Sequence, residues 1–215
     1  VHEETNAPAR AGSAHRKKQS GTDSWLKRRN AWRTSQSEGQ SAPAPVFTWP
    51  QWNNASIYQH LLPVLKEQTD AHCSFCDAYP VAGVSTETIE HFYPKTVEEF
   101  EHRVLEWANL FYACNGCQNA KGSKFHPALL KPDDPEYSFT RYFRFDFEIG
   151  EILPLALEGT PDYERAKETI EHYGLNQCGR PRHRVNARRD FIRANHCELT
   201  GRPYRNFLMG GGDCL

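Results

Sequence analysis

Apolar positions fall into helical and strand-like runs only from about Phe47 onward. Ile57, Leu61, Leu62, Val64 and Leu65 recur at helical spacing. Pro63 is expected to limit or kink that helix, because its ring nitrogen cannot donate to the preceding turn. Thr88 to Phe92 alternates like a short strand. Val97 to Trp107 is amphipathic and charged and reads as a loop or a short helix. Leu110 to Ala113 is strand-like again, and Gln118 to Lys124 opens a helix. The order predicts a β-hairpin followed by a helix. Beyond the Pro/Asp-rich turn Lys131–Pro135, Tyr142 to Phe147 alternates, and Glu148 to Ile152 supplies a turn and the start of a second strand. Asp162 to Tyr173 reads as a helix that Gly174 is placed to end. A last helix is expected from Pro181 to about Glu198, carrying Arg182, His183, Arg184, Arg188, Arg189 and Arg193.

The first 45 residues differ. They are rich in Ser, Ala, Gln and Arg, have almost no aliphatic periodicity, and cluster basic side chains at Arg16–Lys18 and Lys27–Arg29. Residues 1–45 are therefore expected to be a largely disordered basic arm. The island Ser24–Trp32 is either a helical turn that docks on a partner or part of a solvated tail. Residues 46–215 are expected to form one domain with an Arg-rich helical extension.

Composition narrows the class without deciding it. A chain of 215 residues, 38% hydrophobic and 25% charged, can bury a sizeable core. Lys and Arg total 26 against 27 Asp and Glu, a net charge of −1. Any nucleic-acid surface must therefore come from local clustering. No run of about 18 apolar residues is present, so a membrane span is not expected. No apolar segment opens the chain, and a cytoplasmic location is the expectation. The seven cysteines include two tight pairs, Cys73/Cys76 and Cys114/Cys117, a usage that suits metal binding in a reducing compartment. Cys178, Cys197 and Cys214 lie outside the pairs and read as free thiols, although adjacent His196-Cys197 also has metal-ligand chemistry.

The chemistry concentrates between Cys73 and Phe125. A C-x-x-C turn can place both thiolates on one metal, and two such turns give the four-sulfur set of a structural zinc site. The 37 residues from Asp77 to Ala113 are too many for a small ribbon and enough for a hairpin insertion. Within them stands Glu90-His91. A neutral imidazole can activate water near physiological pH, and a carboxylate suits a hard ion such as Mg2+ or Mn2+. Neighbours on a strand point to opposite faces, but twist at a strand end can turn both toward one site. Alone, such a dipeptide is commonly a surface pair; the zinc frame is what singles it out. Asn109 can hydrogen-bond across the hairpin and hold the His91 loop. Lys121 and Lys124 can meet a phosphate by charge, or simply form a solvated helix face.

Together these residues resemble the HNH (ββα-metal) endonuclease family, in the form whose zinc cysteine pairs flank the catalytic hairpin. The match runs C-x-x-C, I-E-H-F-Y-P-K, E-W-A-N-L-F-Y-A-C-N-G-C, then Lys121-Gly122. The resemblance implies an α+β fold: a ββα-metal hairpin–helix core held by a four-cysteine zinc site and surrounded by helices. It implies His91 as general base, Glu90 as ligand of a catalytic Mg2+ or Mn2+, and Asn109 as the residue orienting the loop. The family usually places Asn or His directly after the second cysteine pair as the last metal ligand. Here Gln118 holds that position and Asn119 follows as the alternative. Looser similarity in the flanks is to the HNH subunit of the Septu anti-phage system and to retron-associated nucleases. It involves Trp25 in a basic stretch, Phe145-Asp146 with Gly150–Pro154, and Thr169-Ile170 with Gly174–Asn176 before the Arg-rich helix. It implies a defence nuclease acting on DNA together with an ABC-type ATPase. RNA, including tRNA, is the alternative substrate, and a catalytically weakened zinc-stabilised binding or assembly subunit the alternative role.

Overall fold

The computed structural model describes residues 7–194 and 198–209, with side chains described from Gln19 onward. The His196-Cys197 pair and Cys214 lie outside the described residues. Among the described residues the chain is mixed α+β, with three small two-stranded antiparallel sheets among helices. In order, α1 spans Ala7–Ser37, β1 Gln51–Trp52, β2 Ala55–Ser56, α2 Ile57–Gln68 and α3 Val81–Val84. Then come β3 (Glu87–His91), β4 (Leu110–Cys114), α4 (Asn115–Lys121), α5 (Phe139–Tyr142), β5 (Phe143–Phe145) and β6 (Ile152–Pro154). The chain continues with α6 (Pro161–His172), α7 (Arg180–Arg193) and α8 (Arg205–Met209). Among the described residues no helix is long and apolar enough to cross a membrane.

Strands β3 and β4 pair antiparallel from Glu87↔Cys114 to His91↔Leu110. Every β4 residue is buried, as is β3 from Thr88 to His91. Simple one-sided alternation fails because α2 and α4 both pack on the pair. Helix α2 buries Ile57, Leu61 and Leu65 there, roughly 1.5–3 kcal/mol for each side chain removed from water. Ser56 starts it, accepting from the Tyr58 amide while the Gln59 side chain accepts from the Ser56 amide. Pro63 lies inside this helix without ending it. The Val97–Trp107 segment contains a 3-10 turn at Glu98–Arg103.

Over residues 7–37 the expectation of disorder is corrected. Residues 7–37 form a 31-residue helix, and Trp25 is fully buried beside Val104 and Leu105. Its docked face uses Gly21, Trp25 and Arg29, spaced four residues apart, in place of an aliphatic stripe. Buried Glu101 receives Arg29 and Arg33, so this helix binds its own chain through ion pairs as well as through Trp25.

The Arg-rich helix is also only partly a surface. Arg184 is 1% exposed and donates to the carbonyls of Gly150 (2.6 Å) and Leu175 (2.9 Å). Gly150 has φ +81°, and a Cβ there would stand 2.1 Å from the Pro181 carbonyl oxygen, so glycine is required where β5–β6 meets α7.

Candidate functional site

The two C-x-x-C turns converge. Cys73 and Cys76 lie in the loop after α2; Cys114 ends β4 and Cys117 sits in the first turns of α4. All four are buried, and their sulfurs lie within 4.8 Å of one another. A tetrahedron with metal–sulfur bonds of about 2.3 Å has sulfur–sulfur edges of roughly 3.8 Å. The Sγ atoms of Cys76 and Cys114 are 3.7 Å apart. Main-chain amides already address the sulfurs: Cys114 N–H donates to Cys73 Sγ and Cys117 N–H to Cys114 Sγ, each at 3.4 Å. Contacts from Cys117, Cys73 and Cys76 pull the Cys114 thiol down in pKa, while the contact with Cys114 pushes Cys76 and Cys117 up. This buried set can hold a structural metal such as zinc.

Sequence reasoning gives no role to Arg180, at the start of α7. It is 7% exposed, and its Nη2 lies 3.6 Å from Cys117 Sγ and 3.9 Å from Cys114 Sγ. Its other arm is held by the Gly174 carbonyl. A Cβ on Gly116 would fall 2.5 Å from Arg180 Nη2, so the glycine inside the second C-x-x-C turn opens the way for the guanidinium. Burial pulls the Arg180 pKa down, but the sulfurs of Cys117, Cys76 and Cys114 outweigh it and hold the group cationic. Four thiolates around a dication leave a net dianion, and Arg180 offsets part of it. Arg180→Gln is expected to weaken zinc affinity about 10- to 100-fold in competition with a chromophoric chelator. Unchanged affinity would exclude this role.

About Glu90 and His91 the chain builds a second constellation. Both line a cavity of about 360 Å3 with Pro94, Lys95, Thr96, Gln118 and Asn119. His91 ends β3 and is 4% exposed. Its Nε2 lies 2.9 Å from the Val104 carbonyl oxygen, which can only accept, so Nε2 carries the proton and Nδ1 keeps its lone pair. Trp49 stacks on the ring at 5.4 Å and Phe47 meets it edge-on at 5.8 Å. Burial, then the charge of Lys95, lowers the His91 pKa to about 3 against the opposing bond to Val104, so the imidazole is neutral at physiological pH.

Glu90 is 4% exposed, and Lys121 Nζ donates to its Oε1 at 2.7 Å and to the His91 carbonyl at 2.8 Å. Burial raises the Glu90 pKa and Lys121 opposes the rise. The expectation that Lys121 contacts nucleic acid is corrected: it is fully buried. Four residues beyond Cys117, it shares that residue's inward face of α4. Lys124 is exposed. Gln118 uses its amide N–H to bind the Ile89 carbonyl at 3.0 Å, and Asn119 is exposed at the cavity rim. Asn109, fully buried, accepts from the Tyr93 amide (2.7 Å) and donates to the carbonyls of Tyr93 (3.1 Å) and Arg103 (3.0 Å). It ties the loop after His91 to the segment before β4.

One carboxylate and two amide side chains at the cavity are hard oxygen donors. Donors of this type suit hard divalent ions. Lys95, which has no assigned role in the sequence reading although it closes the I-E-H-F-Y-P-K run, adds a cation beside Glu90. The Lys121–Glu90 pair is closed enough to make its loss expensive. Lys121→Met is expected to destabilise the protein by about 3–5 kcal/mol, because it strands a buried carboxylate. Adding Glu90→Gln is expected to recover part of the loss in urea denaturation. Additive losses would show that the two side chains are not coupled.

No protein-family model matches this chain, and no curated protein matches it.

Proposed function

We propose that this chain is a metal-dependent endonuclease of the HNH type, hydrolysing phosphodiester bonds in DNA. The observation that carries the reading is His91. It is a buried, neutral imidazole with its Nε2–H tied to a main-chain carbonyl and the Nδ1 lone pair left free to accept, beside a carboxylate in one cavity. Attack on a phosphodiester requires removal of a proton from water, and Nδ1 is the acceptor. The Val104 carbonyl then stabilises the imidazolium, since its partner Nε2 stays a donor throughout. Lys95 provides positive charge where an anionic phosphate would enter. Glu90, with Gln118 or Asn119, would hold Mg2+ or Mn2+, whose chemistry is to stabilise charge on the phosphate and its leaving oxygen. The four cysteines would hold structural zinc and fix the hairpin that carries His91. The finer fold assignment, a ββα-metal core, belongs to this proposal; the antiparallel β3–β4 pair followed at once by α4 supports it.

The Septu-like layout of the flanking motifs extends the proposal to an effector of anti-phage defence working with an ABC-type ATPase. Exposed Arg182, Arg189 and Arg193 share one stripe of α7 that suits a docking role. Co-expression with such an ATPase, followed by size exclusion, tests the partner: separate elution would remove it. Labelled duplex DNA and structured RNA offered together with Mg2+ test the substrate, and cleavage of RNA alone would replace DNA with RNA.

A second reading, a catalytically weakened zinc-stabilised binding or assembly subunit, has specific support of its own. Glu90 Oε1 is engaged by Lys121, and Gln118 is turned to the Ile89 carbonyl through its amide nitrogen. Nucleic-acid binding without divalent-dependent cleavage would favour it.

A further inference from the structure

The N-terminal helix reaches the candidate site from behind, through two side chains. Trp25 Nε1–H donates to the carbonyl of Lys95 at 3.2 Å, and Arg29 Nη2 donates to the carbonyl of Thr96 at 2.9 Å. These are two consecutive peptide units of the loop that walls the cavity. The Trp25 ring also packs with Val104 and Leu105, and Val104 carries the carbonyl that orients His91. Phe47 completes the path, edge-on to Trp25 at 5.4 Å and edge-on to His91 at 5.8 Å. The helix sits close enough for this only because residue 21 lacks a side chain: a Cβ there would meet Pro50 Cγ at 2.3 Å and Leu105 Cδ1 at 2.8 Å.

We infer that α1 is a positioning clamp for the catalytic constellation, with Trp25 and Arg29 as the positioning residues that set the His91 ring and the Lys95–Thr96 loop. The inference rests on the nuclease reading for its catalytic consequence, though not for its geometry. Trp25 touches no reacting atom. It acts through Val104 and Phe47 on His91, and through one hydrogen bond on the Lys95 peptide. Anchoring Arg29 is Glu101, 1% exposed and shared with Arg33, so the clamp closes on a buried ion pair in the turn that follows this loop. The Trp25–Val104–Leu105 cluster is a small group of its own, joined to the main core through half-buried Trp49, which packs against both.

The test uses Gly21→Leu and Trp25→Phe in the full-length, zinc-loaded protein. Leucine at position 21 strengthens the isolated helix yet blocks its seat. Phenylalanine at position 25 keeps most of the packing and removes the N–H donor to Lys95. Two readouts are taken: the 15N-detected tautomer of the His91 ring, and the kcat and KM for DNA cleavage. In Gly21→Leu, the His91 signal is expected to leave the pure Nε2–H form. Its kcat is expected to fall about 10²-fold with KM altered far less, since a misplacement near 1 Å has that effect on rate. Trp25→Phe is expected to show a smaller fall in kcat and a nearly unchanged ring signal. An unchanged His91 tautomer and unchanged kcat in Gly21→Leu, with zinc retained, would overturn the inference. A shifted His91 signal in a protein whose wild type cuts no nucleic acid would sustain the clamp and sink the nuclease reading. Should Gly21→Leu not fold, Trp25→Phe decides alone: kcat equal to wild type refutes the Lys95 link.

Discussion

Stripping the zinc proposed for the four cysteines, or replacing Cys114 by Ser, is expected to unfold the hairpin core rather than merely loosen it. Zinc held by four thiolates contributes about 10–16 kcal/mol in small zinc modules at neutral pH. A whole domain is stable by only about 5–15 kcal/mol. Loss of the metal therefore removes a quantity as large as the net stability. The local geometry points the same way: Cys114 pairs with Glu87 at the end of the hairpin, and its amide addresses Cys73 Sγ across 41 residues of chain. Without metal, four buried thiols and cationic Arg180 face one another, and a buried cation without its counter-charge is itself destabilising. The measurement is urea denaturation, followed by near-ultraviolet circular dichroism, before and after chelation. Aromatic signal should collapse on chelation, because Phe75 stacks on Tyr173 at 3.9 Å beside this cluster. Cys178→Ser, an exposed thiol outside the cluster, should change stability by no more than about 0.5 kcal/mol. A metal-free protein with the wild-type midpoint would refute the structural role.

Replacing His91 with Ala is expected to lower divalent-dependent cleavage by about 10²- to 10⁴-fold, the usual contribution of a positioned general base. The loss should lie in kcat, because the role proposed for His91 is to take a proton in the transition state and not to hold the substrate ground state. His91→Gln separates packing from proton transfer. It approximates the side-chain volume between Trp49 and Phe47 and can still donate to the Val104 carbonyl, but it supplies no basic nitrogen. It is expected to fold as wild type and to be as inactive as His91→Ala. Substantial cleavage by the glutamine variant would mean that another group takes the proton.

Much of this arrangement is legible in the sequence because its signals are local. Two C-x-x-C turns foretell the buried sulfur cluster, since chelate spacing is written in adjacent residues. The strand-like runs Thr88–Phe92 and Leu110–Ala113 foretell β3 and β4, and the spacing of Ile57, Leu61 and Leu65 foretells α2. Other features are not legible, each for a physical reason. Helix α1 reads as disordered because its docked face carries glycine, tryptophan and arginine, so hydrophobic periodicity is silent; its burial depends on Glu101, 72 residues from Arg29. Lys121 reads as a surface charge because a lysine that is buried by an ion pair looks, in sequence, like one that is solvated. The Val104 carbonyl that orients His91 has no sequence signature at all, since every residue carries one. Arg180 is invisible as a partner of the cysteines because the contact spans 63 residues.

Incubation of supercoiled plasmid with Mg2+ or Mn2+, wild type beside His91→Ala, is the most direct test of the central claim. Nicking or linearisation by the wild type, abolished by chelating the divalent ion and by the substitution, is the expected result. Equal cleavage by both proteins would contradict the assignment of His91 and, with it, the proposed mechanism.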